Sequence, residues 1–393
     1  MAKLILKRGK EERVRAGHPW IYRGEVAALA GDWRPGEAVT VLEGDGRFIG
    51  RGFYNPRPSL VCRLLTRHDE PVDGDFFRRR IEVALAFRQA AGLVSDAFRL
   101  IWSEADGLPG LIVDRYAGVA VIRCLTLGMV HCRSWIVEAV RGLPAVSGCF
   151  ANDEVTAGRL EGFEPARHWI NGTGPSEVEI REGPCRFIVS IEGGQKTGFY
   201  LDQRENRALV ASLAAGRRIL DVFCYSAAFA CRGLAAGATL AVGVESSPEA
   251  LELARRNLAL NEAANRMELR EGNTFDILRG MERGRERFDL VVLDPPPFTR
   301  TKTAVEAAAR GYKEINLRAL RLLAPGGILA TFSCSHHVSP PLFEDICRAA
   351  GGDAGVTVRL VATLGQSRDH PILLNVPETR YLKGLLLQEV GGG

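Results

Sequence analysis

No cysteine pair in this chain has CxxC spacing, and no Cys/His cluster has the intervals of a zinc site. The nine cysteines, at positions 62, 124, 132, 149, 185, 224, 231, 334 and 347, are an odd number without framework spacing. A disulfide scaffold is therefore excluded and no metal is expected; the pattern reads as reduced thiols of a cytoplasmic protein, most of them core fillers. Long hydrophobic runs are also missing, and none reaches the length of a membrane span. The first ten residues alternate Leu/Ile with Lys/Arg, the pattern of a strand and not of a leader. Net charge is only +4, a weak argument for a polyanionic partner. A GxGxxG loop is absent too, which weakens any pyrophosphate-binding reading.

What is present is an ordinary globular composition, 46% hydrophobic and 25% charged, spread over 393 residues. That length predicts two or three domains. Charge is uneven: Lys3, Lys7, Arg8, Lys10, Arg13, Arg15 and Arg23 face only Glu11 and Glu12 in the opening stretch. Such a face attracts phosphate, or is simply a solvated surface. Short strand-like runs at 38–42, 48–53 and 60–65, punctuated by glycines and Asn55-Pro56, predict a small β-barrel-like domain over residues 1–75. A helix over 76–92, strands at 110–114 and 119–125 and a helix at 130–141 predict a central α+β domain, 76–178.

From residue 179 onward the pattern becomes regular strand–helix alternation. Strands are expected at 186–191, 217–222, 240–245, 267–270, 288–293 and 328–333. Helices are expected over 202–215, from Ser226, and over 248–261, 276–281 and 305–323. This is an α/β domain with a parallel sheet covered on both faces. Ligands in such folds gather at the carboxyl ends of the strands. The first end reads Asp221-Val222-Phe223-Cys224-Tyr225-Ser226, and Glu245 closes the next strand. An acidic residue and a tight loop can hold a nucleoside, with Glu245 accepting both ribose hydroxyls. S-adenosylmethionine, which has no phosphate, fits this end. At the third end Asn273 could accept from an adenine amino group while Phe275 packs beside the ring; helix capping by Asn273 or Thr274 is the rival role.

The fourth end, Asp294-Pro295-Pro296-Pro297-Phe298, cannot continue a ladder or a helix and forms a stiff rim. An aromatic ring beside a carboxylate suits a flipped base, which stacks and hydrogen-bonds at once. The fifth end, Ser333-Cys334-Ser335-His336-His337, places a thiol in the same layer as Asp294. A thiolate adding to C6 of a pyrimidine makes C5 nucleophilic, Asp294 being the partner for N3. His336 or His337 could relay a proton or only cap the surface.

Together, Lys196-Thr197-Gly198-Phe199-Tyr200-Leu201-Asp202-Gln203-Arg204, the 221–229 loop, Glu245, 294–298 and Ser333-Cys334-Ser335 resemble the bacterial large-subunit rRNA cytosine-C5 methyltransferases. The resemblance runs through the chain: Gly17-His18-Pro19-Trp20-Ile21-Tyr22 and 50–55 are similar to that family's PUA domain, and Gln366 with Asp369-His370-Pro371 to its C-terminal pattern. It implies a class I Rossmann-like methyltransferase domain over 179–393, S-adenosylmethionine as cofactor, 23S rRNA or a large-subunit assembly particle as partner, no membrane, and room for a homodimer. It implies Cys334 and Asp294 as catalytic, with Pro295, Pro296 and Phe298 at the base. Asp221, Phe223, Tyr225, Ser226, Glu245, Asn273, Thr274 and Asp294 would hold the cofactor, and Tyr200, Gln203 and Arg204 would border it. Lys7, Arg8, Lys10, Arg13, His18 and Trp20 would meet RNA. Two departures touch cofactor affinity: Ala227-Ala228 where the family has glycine, and Asn273 where it has aspartate. No second cysteine follows Asp294, so product release needs another base or water.

Two rivals stand beside this reading. Asp-Pro-Pro-Pro-Phe is also akin to the motif of enzymes that methylate an exocyclic amine, and guanine-N7 enzymes have a related domain; neither needs Cys334. The other is a non-catalytic RNA-binding protein whose second half merely holds S-adenosylmethionine or nothing; no detectable binding of S-adenosylmethionine would favour it.

Overall fold

The computed structural model describes residues 1–391 except Val94, Gln195, Lys196 and Arg300, with Lys302 described by its backbone alone. Lys196 of the motif quoted above thus lies outside the described residues. Two compact units emerge: residues 1–180, 189–201 and 368–380 form the first, and 181–188, 202–367 and 381–393 the second.

The first unit opens with β1 (Lys3–Leu6), β2 (Trp20–Tyr22), β3 (Val26–Ala30), β4 (Ala38–Leu42), β5 (Phe48–Tyr54) and β6 (Leu60–Thr66). They form a six-stranded sheet in the order β2-β6-β5-β4-β1-β3. Only the β1–β4 pairing is parallel. Alternation in β1 and β4 sends Leu4, Leu6, Val39 and Val41 inward, where they meet Val14, Ile21 and Cys62 in one apolar cluster. Helix Gly74–Ala90 follows, capped by Asp73, whose side chain accepts from the Phe76 N–H. It covers a five-stranded sheet of β7 (Ala97–Trp102), β8 (Leu111–Tyr116), β9 (Val119–Cys124), β10 (Gly148–Asn152) and β11 (Arg167–Ile170), in the order β11-β10-β9-β8-β7. Its core gathers Phe76, Phe77, Ile81, Ile122 and Ile136. The helix expected over 130–141 is two, Leu127–His131 and Arg133–Arg141, and β7, β10 and β11 had no sequence signal strong enough to name them. A hairpin of β12 (Glu177–Glu182) and β13 (Cys185–Ser190) follows, its residues 181–188 belonging to the second unit and its two ends to the first.

The second unit is built on β14 (Arg218–Val222), β15 (Leu240–Glu245), β16 (Met267–Glu271), β17 (Phe288–Leu293), β18 (Leu323–Ser333), β19 (Val358–Gly365) and β20 (Lys383–Glu389). In the order β16-β15-β14-β17-β18-β20-β19 the chain begins inside the sheet at β14, runs out to the β16 edge and returns at β17. The strand order reverses between β14 and β17, so the crevice at their carboxyl ends is the place for a ligand. Both strands are covered on both faces, and Leu220, Val222, Val291 and Leu293 are fully buried. The expected parallel sheet needs one correction: β14 to β18 are parallel, but β20 runs antiparallel to both β18 and β19. The 325–327 turn expected before β18 lies within the strand, accommodated by an irregularity of register opposite Phe288–Leu290. The helix expected over 202–215 is a 3-10 turn, Leu201–Gln203, and then helix Arg204–Ser212.

The expected domain 179–393 is likewise not one contiguous body, because 368–380 belongs to the first unit. Buried polar bonds anchor that stretch: Asp369 accepts from the Arg99 N–H at 2.9 Å, and Arg88 donates to the Asp369 carbonyl at 2.8 Å. Among the described residues no helix is long and apolar enough to cross a membrane.

Candidate active site

The loop after β14 is the most constrained backbone of the second unit. Phe223, Tyr225 and Ala227 have φ of 62°, 46° and 58°, left-handed values that are uncommon without glycine and a true outlier for bulky side chains. Each alternate residue turns the chain so that helix Ala228–Ala235 can start at once. Neighbouring groups hold this shape: the Cys224 N–H reaches the Val244 carbonyl at 3.1 Å, and Asn257 Nδ2 donates to the Ser226 carbonyl at 3.0 Å. Glu245, at the end of β15, accepts from the N–H groups of Tyr225 (3.1 Å), Ser246 (2.7 Å) and Ser247 (3.0 Å). Its carboxylate therefore sits in one orientation beside the loop.

Asp221 is 1% exposed and accepts from the Ala230 N–H at 3.1 Å. Burial pushes its carboxyl up to about 7; the Ala230 bond opposes this, and the nearby charges of Asp294 and Glu245 add to it. Phe223 and Tyr225 are half-buried and Ser226 is buried. Asn273 caps helix Thr274–Arg283, its Oδ1 accepting from the Phe275 N–H at 3.0 Å and the Asp276 N–H at 3.4 Å, while Thr274 is buried in the first turn. The capping role is thus realised by Oδ1, and the remaining amide group, Nδ2, is a donor, suited to an adenine ring nitrogen more than to its amino group.

Asp294 follows β17 directly, its N–H pointing at the Val222 carbonyl 3.4 Å away, which brings the two strand ends together. Pro295 is buried, Pro296 exposed and Phe298 half-buried. The Phe298 ring lies against Tyr312, with centroids 4.5 Å apart, and beside Phe275 at 6.4 Å. Cys334, one residue past β18, points its Sγ at the Pro295 carbonyl, 3.9 Å away. All eight other cysteines are buried and Cys334 is not. Burial pushes their thiols up, those of Cys62, Cys124, Cys132 and Cys347 to about 12, so they are inert. His336 is exposed and His337 partly so, their rings in edge contact.

Two residues here had escaped sequence reasoning. Tyr312, fully buried on helix Val305–Arg321, shares a hydrogen bond of 2.9 Å with the Ser335 hydroxyl. Lys383, at the start of β20, donates to the Ser335 carbonyl at 2.6 Å. An apolar helical position foretells Tyr312 only as core, and a lysine opening a strand is ordinarily surface.

Not every expected residue joins this cluster. Gln203 is buried, its Oε1 taken by Asn206 at 2.6 Å and its Nε2 left without an acceptor among the described residues. Arg204 turns towards Glu182, 3.9 Å away. Tyr200 is half-buried and falls in the first unit, as do the six residues expected to meet RNA. Of these, Lys7, Arg8 and Lys10 are exposed. Arg13 is committed to Glu25 at 2.9 Å and to the Trp20 carbonyl. His18 is buried and meets Glu378 at 3.2 Å, and Trp20 Nε1 donates to Glu104 at 2.9 Å.

The donor set fits a cationic nucleoside cofactor. Carboxylates stand at the ends of two adjacent strands, and no phosphate cradle precedes the helix. Comparison with known proteins agrees. Residues 4–67 match the model of a PUA-like domain, and residues 131–373 that of the S-adenosylmethionine-dependent methyltransferases. A ribosomal RNA large subunit methyltransferase I from Alteromonas mediterranea is 38% identical over 391 residues, 98% of each chain. The protein of the same name from Klebsiella pneumoniae is 36% identical over 389 residues, 97% of each. In fold the chain is similar to SMU.776, described as a candidate methyltransferase and solved with SAH, with a TM-score of 0.86 at 20% identity, covering 99% of this chain and 100% of that one.

Proposed function

This chain belongs to the S-adenosylmethionine-dependent methyltransferase family, among relatives named ribosomal RNA large subunit methyltransferase I, and on that premise we propose that it methylates carbon 5 of a cytosine in 23S rRNA through a covalent adduct on Cys334. One observation carries the cytosine reading: of nine thiols, the single one that reaches solvent stands at a strand's carboxyl end, against the rim that Asp294 opens. Neither amine nor guanine-N7 methylation has a use for it.

Asp221, Glu245, Asn273 and Asp294 would hold S-adenosylmethionine, which supplies the methyl group when bound. Cys334 as thiolate adds to C6 of the cytosine, and ring electrons shift towards C5. Asp294, carrying a proton on its carboxyl, donates a hydrogen bond to N3 and so stabilises the negative charge that builds there. Pro295 and Pro296 stiffen the rim, and Phe298, braced by Tyr312, offers its free side to the base. After C5 has gained its substituent, water takes the C5 proton and the C6–S bond breaks with its electron pair going to the Cys334 sulfur, which restores the aromatic ring. Lys7, Arg8 and Lys10 supply phosphate contacts from the barrel, while Arg13, His18 and Trp20 shape it. The same proposal places the enzyme in the cytoplasm, acting as a homodimer.

The test is methylation of large-subunit rRNA, read by mass spectrometry of nucleosides, with the purified protein and its Cys334→Ala variant. The variant should lose 5-methylcytosine formation by more than about a thousandfold while still binding S-adenosylmethionine. Undiminished methylation would move the proposal to an amine or N7 target. Light scattering checks the dimer.

A further inference from the structure

β18 and β20 pair antiparallel with Ser333 opposite Lys383, so the lysine is carried beside the strand end from which Cys334 emerges. Its side chain is 9% exposed, its one hydrogen bond goes to the Ser335 carbonyl, and it has no carboxylate partner among the described residues. A buried ammonium without a counter-ion is costly, and proteins rarely keep one without use. Other faces of the site bring little to neutralise it. Gly365 is its neighbour on β19, and helix Val305–Arg321 contributes the Tyr312 hydroxyl, which burial keeps protonated. The titratable group whose charge favours the ammonium is Cys334.

We propose that Lys383 is the positioning residue that keeps Cys334 in its thiolate form, the buried ammonium taking the thiolate as its counter-ion. The inference rests on the cysteine chemistry proposed above. In this arrangement the thiol proton leaves to solvent, because the ammonium is already protonated. When sulfur bonds to C6 its negative charge passes into the ring, and when the C6–S bond breaks the charge returns to sulfur. One fixed cation thus serves both addition and departure. Burial pulls the lysine down and the Cys334 charge opposes that pull, the balance lying at about 8, so each group helps to hold the other charged near neutral pH.

The test needs no RNA. The full-length protein is alkylated with iodoacetamide across pH 6–10, and the Cys334 peptide is followed by mass spectrometry, the other thiols being buried. In the natural protein the inflection should lie below the ordinary thiol value of about 8.5. Lys383→Met should raise it by about one unit or more and slow alkylation at pH 7 about tenfold, and Lys383→Arg should restore most of the shift. A Met variant that melts earlier but keeps the natural inflection would overturn the proposal, leaving the lysine as a strand pin. Should that variant not fold, a natural inflection at or above 8.5 overturns it equally. Persistent 5-methylcytosine formation by Cys334→Ala would instead sink the covalent reading, whatever the alkylation profile.

Discussion

Asp114 in the first unit is sealed from solvent and grips Arg99 with both oxygens, at 2.7 and 2.8 Å, and Glu161 answers Arg63 at 2.9 Å. At the carboxyl edge of the seven-stranded sheet, Asp221 is buried just as deeply, yet it has one backbone N–H and no ion-pair partner among the described residues. Lys383 repeats the pattern with the opposite sign. Charges that only support a fold are matched on the spot, because desolvation otherwise goes uncompensated. Charges left unmatched in a crevice await a ligand or a reacting group.

The comparison can be broken most forcefully at its paired half. Asp114→Ala strands Arg99 inside the central sheet and should cost about 3–5 kcal/mol of stability, measured by urea denaturation; a loss below about 1 kcal/mol would mean that the pair is ornamental. Asp221 tests the other half through pH. Its carboxyl is raised in the folded protein, so the unliganded protein loses stability as pH climbs from the ordinary carboxylate range towards 7. A sulfonium ligand prefers the ionised form, so its affinity should grow as pH rises through about 7 and then level off. Asp221→Asn should flatten both profiles and weaken binding about tenfold at pH 8, by calorimetry; an unchanged pH slope would show that Asp221 does not face the cofactor. The smallest effects belong to the exposed cations of the barrel. Replacing Lys7, Arg8 or Lys10 by alanine should weaken binding to an rRNA fragment a few-fold each and lower the log–log salt slope by about one, in filter binding at several ionic strengths.

Where strands were buried on both faces, the sequence could be read to the residue: β15 and β17 begin and end as their apolar runs do, and Ser247-Pro248 marks its helix start. Four of the strand ends in the candidate site followed from that alone. What stayed hidden depended on pairing across distance. β20 looks like a short leucine run after a Lys-Gly turn, and only its register with β18 brings Lys383 beside Cys334. The return of 368–380 to the first unit rests on Arg88 and Arg99, 281 and 270 residues upstream of Asp369, a contact no local pattern encodes. Capping at Asn273 was legible as one of two roles because the signal is local. Left-handed geometry at Phe223 and Tyr225 was not, since propensity reserves it for glycine.

That strained loop has a thermodynamic consequence for ligand binding. Three non-glycine residues held left-handed each cost on the order of 1 kcal/mol or more, and β15, Glu245 and Asn257 hold them in the folded protein. The entropy of ordering the loop is thus lost before any ligand arrives. Cofactor binding need not freeze it, so its affinity is spent on contact and charge, with the heat-capacity change reflecting the surface buried and little refolding.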